Sequence, residues 1–329
     1  MVITQTPYRL SLFGGGTDYN SWFRERGGLI LALGLAHYCY LTVRFTPHFF
    51  NFTNRIVYSR VEEVTNREQI QHPSVRGCLE YLDIKDGVEV YHVGSLPARS
   101  GIGSSSSFTV GLLNALHTLV GTSVGPNQLA REAIQVEQEL LHESVGIQDQ
   151  ILAAYGGIQR LHMGPGNNWD VQPMALSTEY LAELESHILL GFSGVSRNAE
   201  EHAMATVQNI ETGKIDAPLE EIHRITQEAR LLLESQASMK EIGRMLELSW
   251  KMKRQLTTIG APSWVDQIYQ AGMRSGAFGG KLMGAGGGGF FFFLAPPERH
   301  DSIREALPQI RVWVPCHIDP SGSQVLLNN

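Results

Sequence analysis

Residues 96–113 read LPARSGIGSSSSFTVGLL, and few backbone arrangements accommodate them. Val88, Val90, Tyr91 and Val93, just upstream, carry the pattern of a strand. Downstream, Phe108, Leu112, Ala115, Leu116 and Leu119 recur at the i, i+4, i+7, i+8, i+11 spacing of an amphipathic helix. Bracketed this tightly, the stretch is no flexible linker: Gly101 and Gly103 make a tight turn, and Ser104 to Ser107 open the helix. The first N–H groups of a helix have no partner within it, and the helix dipole adds positive potential at the same end. That arrangement cradles a phosphate. A serine-capped helix that binds nothing gives the same pattern, so the stretch alone leaves both readings open.

The chain is long enough, at 329 residues with 43% hydrophobic and 18% charged, for two domains sharing an interface. Its net charge of −7, without any block of like charges, weighs against a nucleic-acid partner and against anionic lipid. Any bound anion must therefore be met by local groups. Cys39, Cys78 and Cys316 are odd in number and form no CxxC, which argues against a disulfide framework or a zinc site and for a reducing, cytoplasmic setting. No secretory segment or membrane span is expected, because the most apolar stretch, LILALGLAHYCYL at 29–41, is short and interrupted by His37. None of the histidines sits in HExxH or another metal-ligand spacing.

Strands are expected near 29–46 and 88–94, helices near 103–120 and 127–143, a short helix at 147–155, and a strand at IQRLHM after Gly156–Gly157. GPGNNWD, from Gly164 to Asp170, is rich in turn formers and reads as the connection between domains 1–170 and 171–329. Beyond it come a strand at His187–Phe192, helical segments over 197–275, a helix near 298–306 and a strand at IRVWVP. The pattern is α+β in two lobes and lacks the regular alternation of a doubly wound sheet.

Two further glycine-rich segments flank the central one: PYRLSLFGGGTDYNSWF at 7–23 and KLMGAGGGGFFFF at 281–293. The second contains GxGxxG at Gly284, Gly286 and Gly289, but it runs into the strand-like Phe290–Phe293, whereas a dinucleotide fingerprint opens a helix. An oxidoreductase is disfavoured on that ground, and no Walker A loop occurs. Glu137 is a separate signal. On a helical wheel for 127–143, Leu129, Ala130, Ala133, Ile134, Val136, Leu140 and Leu141 form one apolar arc with Glu137 inside it. Glu132, Glu139 and Glu143 fall outside or at its edge. A carboxylate on a buried face costs several kcal/mol unless paired with a cation; a metal ion and a distant arginine both qualify.

Taken together, PYRLSLFGGGTDY, LPARSGIGSSSSF and KLMGAGGGG resemble, in order and spacing, the three signature motifs of the GHMP kinases, a family of small-molecule kinases. GGGTDY and ARSGIGSSSS are most similar to those of its heptose 7-phosphate kinase branch. The resemblance implies an α+β fold of two lobes, a ribosomal protein S5 domain 2-like N-terminal lobe and an α/β-plait-like C-terminal lobe, with ATP in the cleft. ATP would lie on Arg99, Ser100, Gly101, Ile102, Gly103, Ser104, Ser105 and Ser106. Glu137 matches the family's Mg²⁺-holding glutamate, with Ser104 or Ser105 supplying a hydroxyl. Asp149, in VGIQDQ, matches the catalytic aspartate, and Arg9 the basic residue beside it; periodicity alone allows Asp149 on a solvated face.

For substrate, the resemblance implies Asp18 on sugar hydroxyls, with Thr17 beside it in the substrate site, Gly15 and Gly16 leaving room for an extended sugar phosphate, and Gly286 and Gly287 passing close to the cleft. Arg197 is a candidate for the substrate's phosphate, and Lys281 for ATP or for a strand end. The expected activity is ATP- and Mg²⁺-dependent phosphorylation of an anomeric hydroxyl. A galactose or fucose kinase, or a sugar and ATP sensor without catalysis, are the alternatives. The expected partner is a small sugar phosphate, with neither nucleic acid nor membrane, and a homodimer is the oligomeric state entertained.

Overall fold

The computed structural model describes residues 1–195, 199–256, 263–284 and 288–329. In chain order the N-terminal half contains β1 (Val2–Phe13), α1 (Asn20–Arg26), β2 (Gly28–Phe45), β3 (Asn54–Val57), β4 (Val61–Val64) and α2 (Pro73–Tyr81). Next come β5 (Val88–Gly94), α3 (Ser104–Leu119), α4 (Pro126–Gln135), α5 (Gln148–Tyr155), β6 (Ile158–Gly164) and β7 (Asn168–Pro173). The C-terminal half contains α6 (Thr178–His187), β8 (Ile188–Phe192), α7 (Ala199–Glu211), α8 (Asp216–Glu234), α9 (Met239–Lys253) and α10 (Ser263–Arg274). It closes with β9 (Gly279–Leu282), β10 (Phe290–Leu294), α11 (His300–Ala306), β11 (Val312–Val314) and β12 (Gln324–Asn328).

The first sheet runs β12-β1-β2-β5-β3-β4, with β6 also on β2 and β7 on β6. Strand β2 is long enough to serve two neighbours in succession: Gly28 to Leu33 pair with β6, and Cys39 to Phe45 pair with β5. Helix α3 packs against β1 and β2 and is buried from Ser106 to His117, so it forms the middle of the lobe. The helix that opens on the serine loop is therefore held rigidly, which a phosphate site requires.

The second sheet, β11-β8-β10-β9, is antiparallel throughout. Its central strand explains the run of four phenylalanines, all fully buried. Side chains alternate faces along a strand; Phe290 and Phe292 join the large core, while Phe291 and Phe293 join a second core with Val265 and Ile268 of α10 and Ile303 of α11. Each such ring contributes about 1.5–3 kcal/mol relative to an exposed one.

Three expectations about organisation are corrected. GPGNNWD is the turn of the β6–β7 hairpin, with Gly164 paired to Asn168, because the flanking strands continue the first sheet to Pro173. The C-terminal β12 also leaves the second half of the chain and pairs with β1. The helix expected over 127–143 ends at Gln135 and passes into a π-turn at Val136–Leu140. One extra residue in that turn rotates the downstream side chains about the helix axis, so Leu140 is exposed at 39% although the wheel put it on the apolar arc.

Candidate active site

The serine loop forms as its sequence requires. Gly101 and Gly103 take φ +81° and +74°, and Gly103 leads into α3 with no side chain capping the helix. The first amides of α3 are thus left to a ligand. Gly101 is obligatory for a second reason: a Cβ there would sit 2.6 Å from the Met283 carbonyl oxygen. The third glycine cluster lies directly behind the loop, and Phe290 N–H donates to Ser100 O at 3.0 Å. Two of its described glycines touch the loop backbone: a Cβ at Gly284 would lie 2.7 Å from Gly101 Cα, and one at Gly289 would lie 2.3 Å from Ser100 O. Within the loop, Ser100 is buried with Oγ donating to Pro97 O, Ile102 is a core residue, Ser104 Oγ accepts from Arg99 N–H, and Arg99 and Ser105 are exposed.

Arg9 ties this loop to the candidate catalytic aspartate. Its Nε and Nη2 donate to Asp149 Oδ1 and Oδ2 at 2.7 and 2.8 Å, and its Nη1 donates to Gly101 O at 2.6 Å. The backbone adds a further tie, Arg9 N–H to Ile102 O at 3.0 Å. Two parallel N–H···O bonds fix a carboxylate's position and its orientation. Gly103 is also beside Asp149, since a Cβ there would lie 3.3 Å from Oδ2.

Three consecutive residues at the start of α5 point in three directions, about 100° apart, and each meets a different charged group. Gln148 Nε2 donates to Asp18 Oδ2 at 3.0 Å, Asp149 pairs with Arg9, and Gln150 Nε2 donates to Glu137 Oε2. The QDQ of VGIQDQ thus organises all three acids. Asp18 is 2% exposed and its Oδ1 accepts from Gly16 N–H; burial first, then the nearby Asp149, holds its carboxyl above the usual range. It does not cap α1, whose first turn follows Tyr19.

Glu137 is fully buried, as the apolar arc predicts. Ser106 Oγ and Gln150 Nε2 both donate to Oε2, while Oε1 has no hydrogen-bond partner among the described residues, the Thr109 side chain lying near enough only to favour the charged carboxylate. The serine that meets it is Ser106, one residue beyond the expected Ser104 or Ser105. Burial, and next Glu143, pushes the carboxyl up to about 8. A buried carboxylate with one oxygen unsatisfied and a hydroxyl alongside is a donor set suited to a hard cation such as Mg²⁺.

The sign of this shift gives a test. A folded value near 8 against 4.5 unfolded means the stability from this group is fully present below about pH 4.5 and is lost as pH rises to about 8. Glu137→Gln removes the titration. In metal-free protein the variant should therefore gain on the parent between pH 5 and 8, by up to about 1.4 kcal/mol per pH unit, in urea unfolding. Magnesium at pH 8 should then raise the parent alone. A pH-independent difference would rule out a buried, titrating Glu137.

Other expectations are corrected. Glu132 is buried rather than solvated, because His117 Nε2 lies 2.6 Å from its Oε2. Thr17 is fully buried, its hydroxyl 2.9 Å from Gly14 O and 3.2 Å from Leu29 O and accepting from Leu29 N–H, so its side chain is engaged in holding the turn. The space beside Gly16 is filled, since a Cβ there would lie 2.9 Å from Leu256 Cδ1 and 3.1 Å from Leu219 Cδ2. Arg197, Gly286 and Gly287 lie outside the described residues.

Two lysines lie near Arg9 in this cluster. Lys281 is 2% exposed and its Nζ donates to Leu12 O at 3.0 Å, joining β9 to β1. Burial and the nearby Lys253 and Arg9 push its ammonium well down. Lys253, the last residue of α9, is likewise pushed down to about 8 by burial and Arg9, with Asp18 and Asp149 opposing. Sequence reasoning missed Lys253 because a lysine ending a helix is ordinarily a favourable dipole partner in solvent.

The family model for the GHMP kinases N terminal domain matches residues 73–157, and that for the GHMP kinases C terminal domain matches 229–310. D-glycero-alpha-D-manno-heptose 7-phosphate kinase of Campylobacter jejuni is 26% identical over 322 residues, covering 92% of each chain. Among solved structures, a D-glycero-D-manno-heptose 1-phosphate kinase from B. thetaiotaomicron superposes with a TM-score of 0.81 at 22% identity, covering 99% of each chain. Lactococcus lactis galactokinase, complexed with galactose, gives a TM-score of 0.77 at 18% identity, covering 99% of this chain and 95% of that one.

Proposed function

Since the chain belongs to the GHMP kinase family, we propose that it is an ATP-dependent sugar 1-kinase whose acceptor is D-glycero-D-manno-heptose 7-phosphate. The observation that carries the reading is the Arg9–Asp149 fork anchored to the carbonyl of Gly101. A carboxylate beside Gly103, where the amides suited to a nucleotide's phosphates begin, supports the reading that it meets the attacking hydroxyl. The heptose is supported by the relative from Campylobacter jejuni, which matches along nearly the whole of both chains.

Phosphoryl transfer asks for positioning and charge stabilisation more than for covalent chemistry. The amides at Gly103 to Ser106 grip the β- and γ-phosphates. Asp149 accepts, or orients, the proton of the C1 hydroxyl as it attacks. Arg9 fixes Asp149 and adds positive charge where negative charge spreads. Mg²⁺ would be held by Glu137 with a hydroxyl of the Ser104–Ser106 run, and when bound it neutralises phosphate charge. Asp18, held by Gln148 and Gly16, meets sugar hydroxyls. Retention of Asp149 beside the loop favours an enzyme over a sensor, which needs no proton acceptor.

The test is ADP release over a panel of heptose 7-phosphate, mannose, fucose, galactose and mevalonate. The reading predicts the highest kcat/KM for heptose 7-phosphate. A preference for galactose or fucose would replace the heptose while leaving the kinase.

A further inference from the structure

Gly15 differs from its neighbours in the first glycine cluster. Its φ is not in the left-handed region, and nothing packs tightly against it. Among the described residues, and its chain neighbours aside, the three atoms nearest a Cβ there are all polar and from separate elements: Ser11 Oγ at 3.6 Å, Lys253 Nζ at 3.8 Å and Gln148 Nε2 at 4.0 Å. Polar atoms from β1, α5 and α9 thus converge on a space one methyl group wide.

Two of these side chains carry unmet hydrogen-bonding capacity. Ser11 is 5% exposed and, among the described residues, its Oγ has no partner, nor has the buried Oε1 of Gln148, whose Nε2 is engaged by Asp18. Lys253 Nζ has no carboxylate within 4.0 Å among the described residues, although Asp18 and Asp149 are near enough to act on it through space. Buried polar atoms left unpaired are costly, so a cluster of them marks a place where a ligand supplies the partners.

We infer that Ser11, Gln148 and Lys253 form a subsite over Gly15 that binds adjacent hydroxyls of the acceptor sugar and sets its specificity. The inference rests on the sugar-kinase reading and names which part of the acceptor lies here. A hydroxyl both donates and accepts, which suits a set made of an acceptor (Gln148 Oε1), a donor–acceptor (Ser11 Oγ) and a cationic donor (Lys253 Nζ). A phosphate dianion has no proton to donate to Gln148 Oε1, whereas a hydroxyl does, so a phosphate suits the set less well. The charged tail of a sugar phosphate therefore points away from this subsite, and the uncharged polyol edge occupies it.

Gly15→Ala is the cleanest test, since its methyl meets every neighbour at ordinary van der Waals distance and needs no backbone strain. It should leave the thermal midpoint and the KM for ATP in place and raise the acceptor KM by about tenfold or more, through the lost space. Lys253→Met should raise the acceptor KM by about 10- to 100-fold, the equivalent of one charge-assisted hydrogen bond. Mono-deoxy analogues of the accepted sugar identify the hydroxyls: at the positions read here, the parent's discrimination against the deoxy sugar should shrink in Lys253→Met. An acceptor KM unchanged in Gly15→Ala, a rise shared equally by ATP, or undiminished discrimination at every position would overturn the subsite. A parent that phosphorylates no sugar brings down the functional reading and this inference with it, whereas a sugar-active parent indifferent to Gly15→Ala brings down this inference alone.

Discussion

Asp149→Asn is expected to lower kcat by about 10³-fold, inside the roughly 10²–10⁴-fold range of a positioned acid–base group, with nucleotide affinity little changed. The two halves of that expectation come from separate parts of the geometry. Asp149 borders the loop at Gly103 and is held there by Arg9. The amides suited to grip phosphate belong to the loop and the first turn of α3, a helix buried from Ser106 to His117. Asparagine keeps the shape and one acceptor, so Arg9 retains Nε to Oδ1, but the group no longer takes a proton. Single-turnover kinetics with binding measured separately would show an intact nucleotide Kd and a slow chemical step. Near-normal turnover would remove Asp149 from the mechanism.

Arg9→Met is expected to damage stability as well as turnover. The guanidinium is 6% exposed and satisfies three oxygens at once, two on Asp149 and one on Gly101. Removing one partner of a buried pair leaves the other charge uncompensated, a loss of about 3–5 kcal/mol, reduced here because the Asp149 side chain is 25% exposed. Methionine restores volume but no donor, so Asp149 is free to rotate and the Gly101 carbonyl is left without its anchor. Urea unfolding should show the destabilisation, and kcat should fall about as far as in Asp149→Asn, because the two residues act as a unit. In the double variant the activity losses should fall well short of multiplying. Independent, multiplicative losses would show that the fork is not a functional unit.

Much of this site was legible in the sequence because glycine and serine at a strand–helix junction admit few conformations. The same reasoning found buried Glu137, since a charge within an apolar arc is conspicuous whatever the fold. It failed where the signal was tertiary. Glu132 reads as solvated until His117, fifteen positions earlier on α3, is seen against it. Thr17 and Gly16 lie in a motif that the resemblance assigns to substrate, yet one holds a turn and the other packs against leucines of α8 and the segment after α9. The π-turn at Val136–Leu140 has no periodicity of its own and rotated Leu140 out of the core. Lys253 and Ser11 are common residues in ordinary positions, and only the folding of three elements around Gly15 makes them a set.

The central claim is that the backbone amides of the serine loop hold a nucleotide's phosphates between Glu137 and Asp149. A crystal structure with magnesium and a non-hydrolysable ATP analogue tests it directly. The account predicts the triphosphate on the amides at Gly103 to Ser106, the metal against Glu137, and the γ-phosphate facing Asp149. A triphosphate lodged elsewhere, with these amides turned to water, would contradict it.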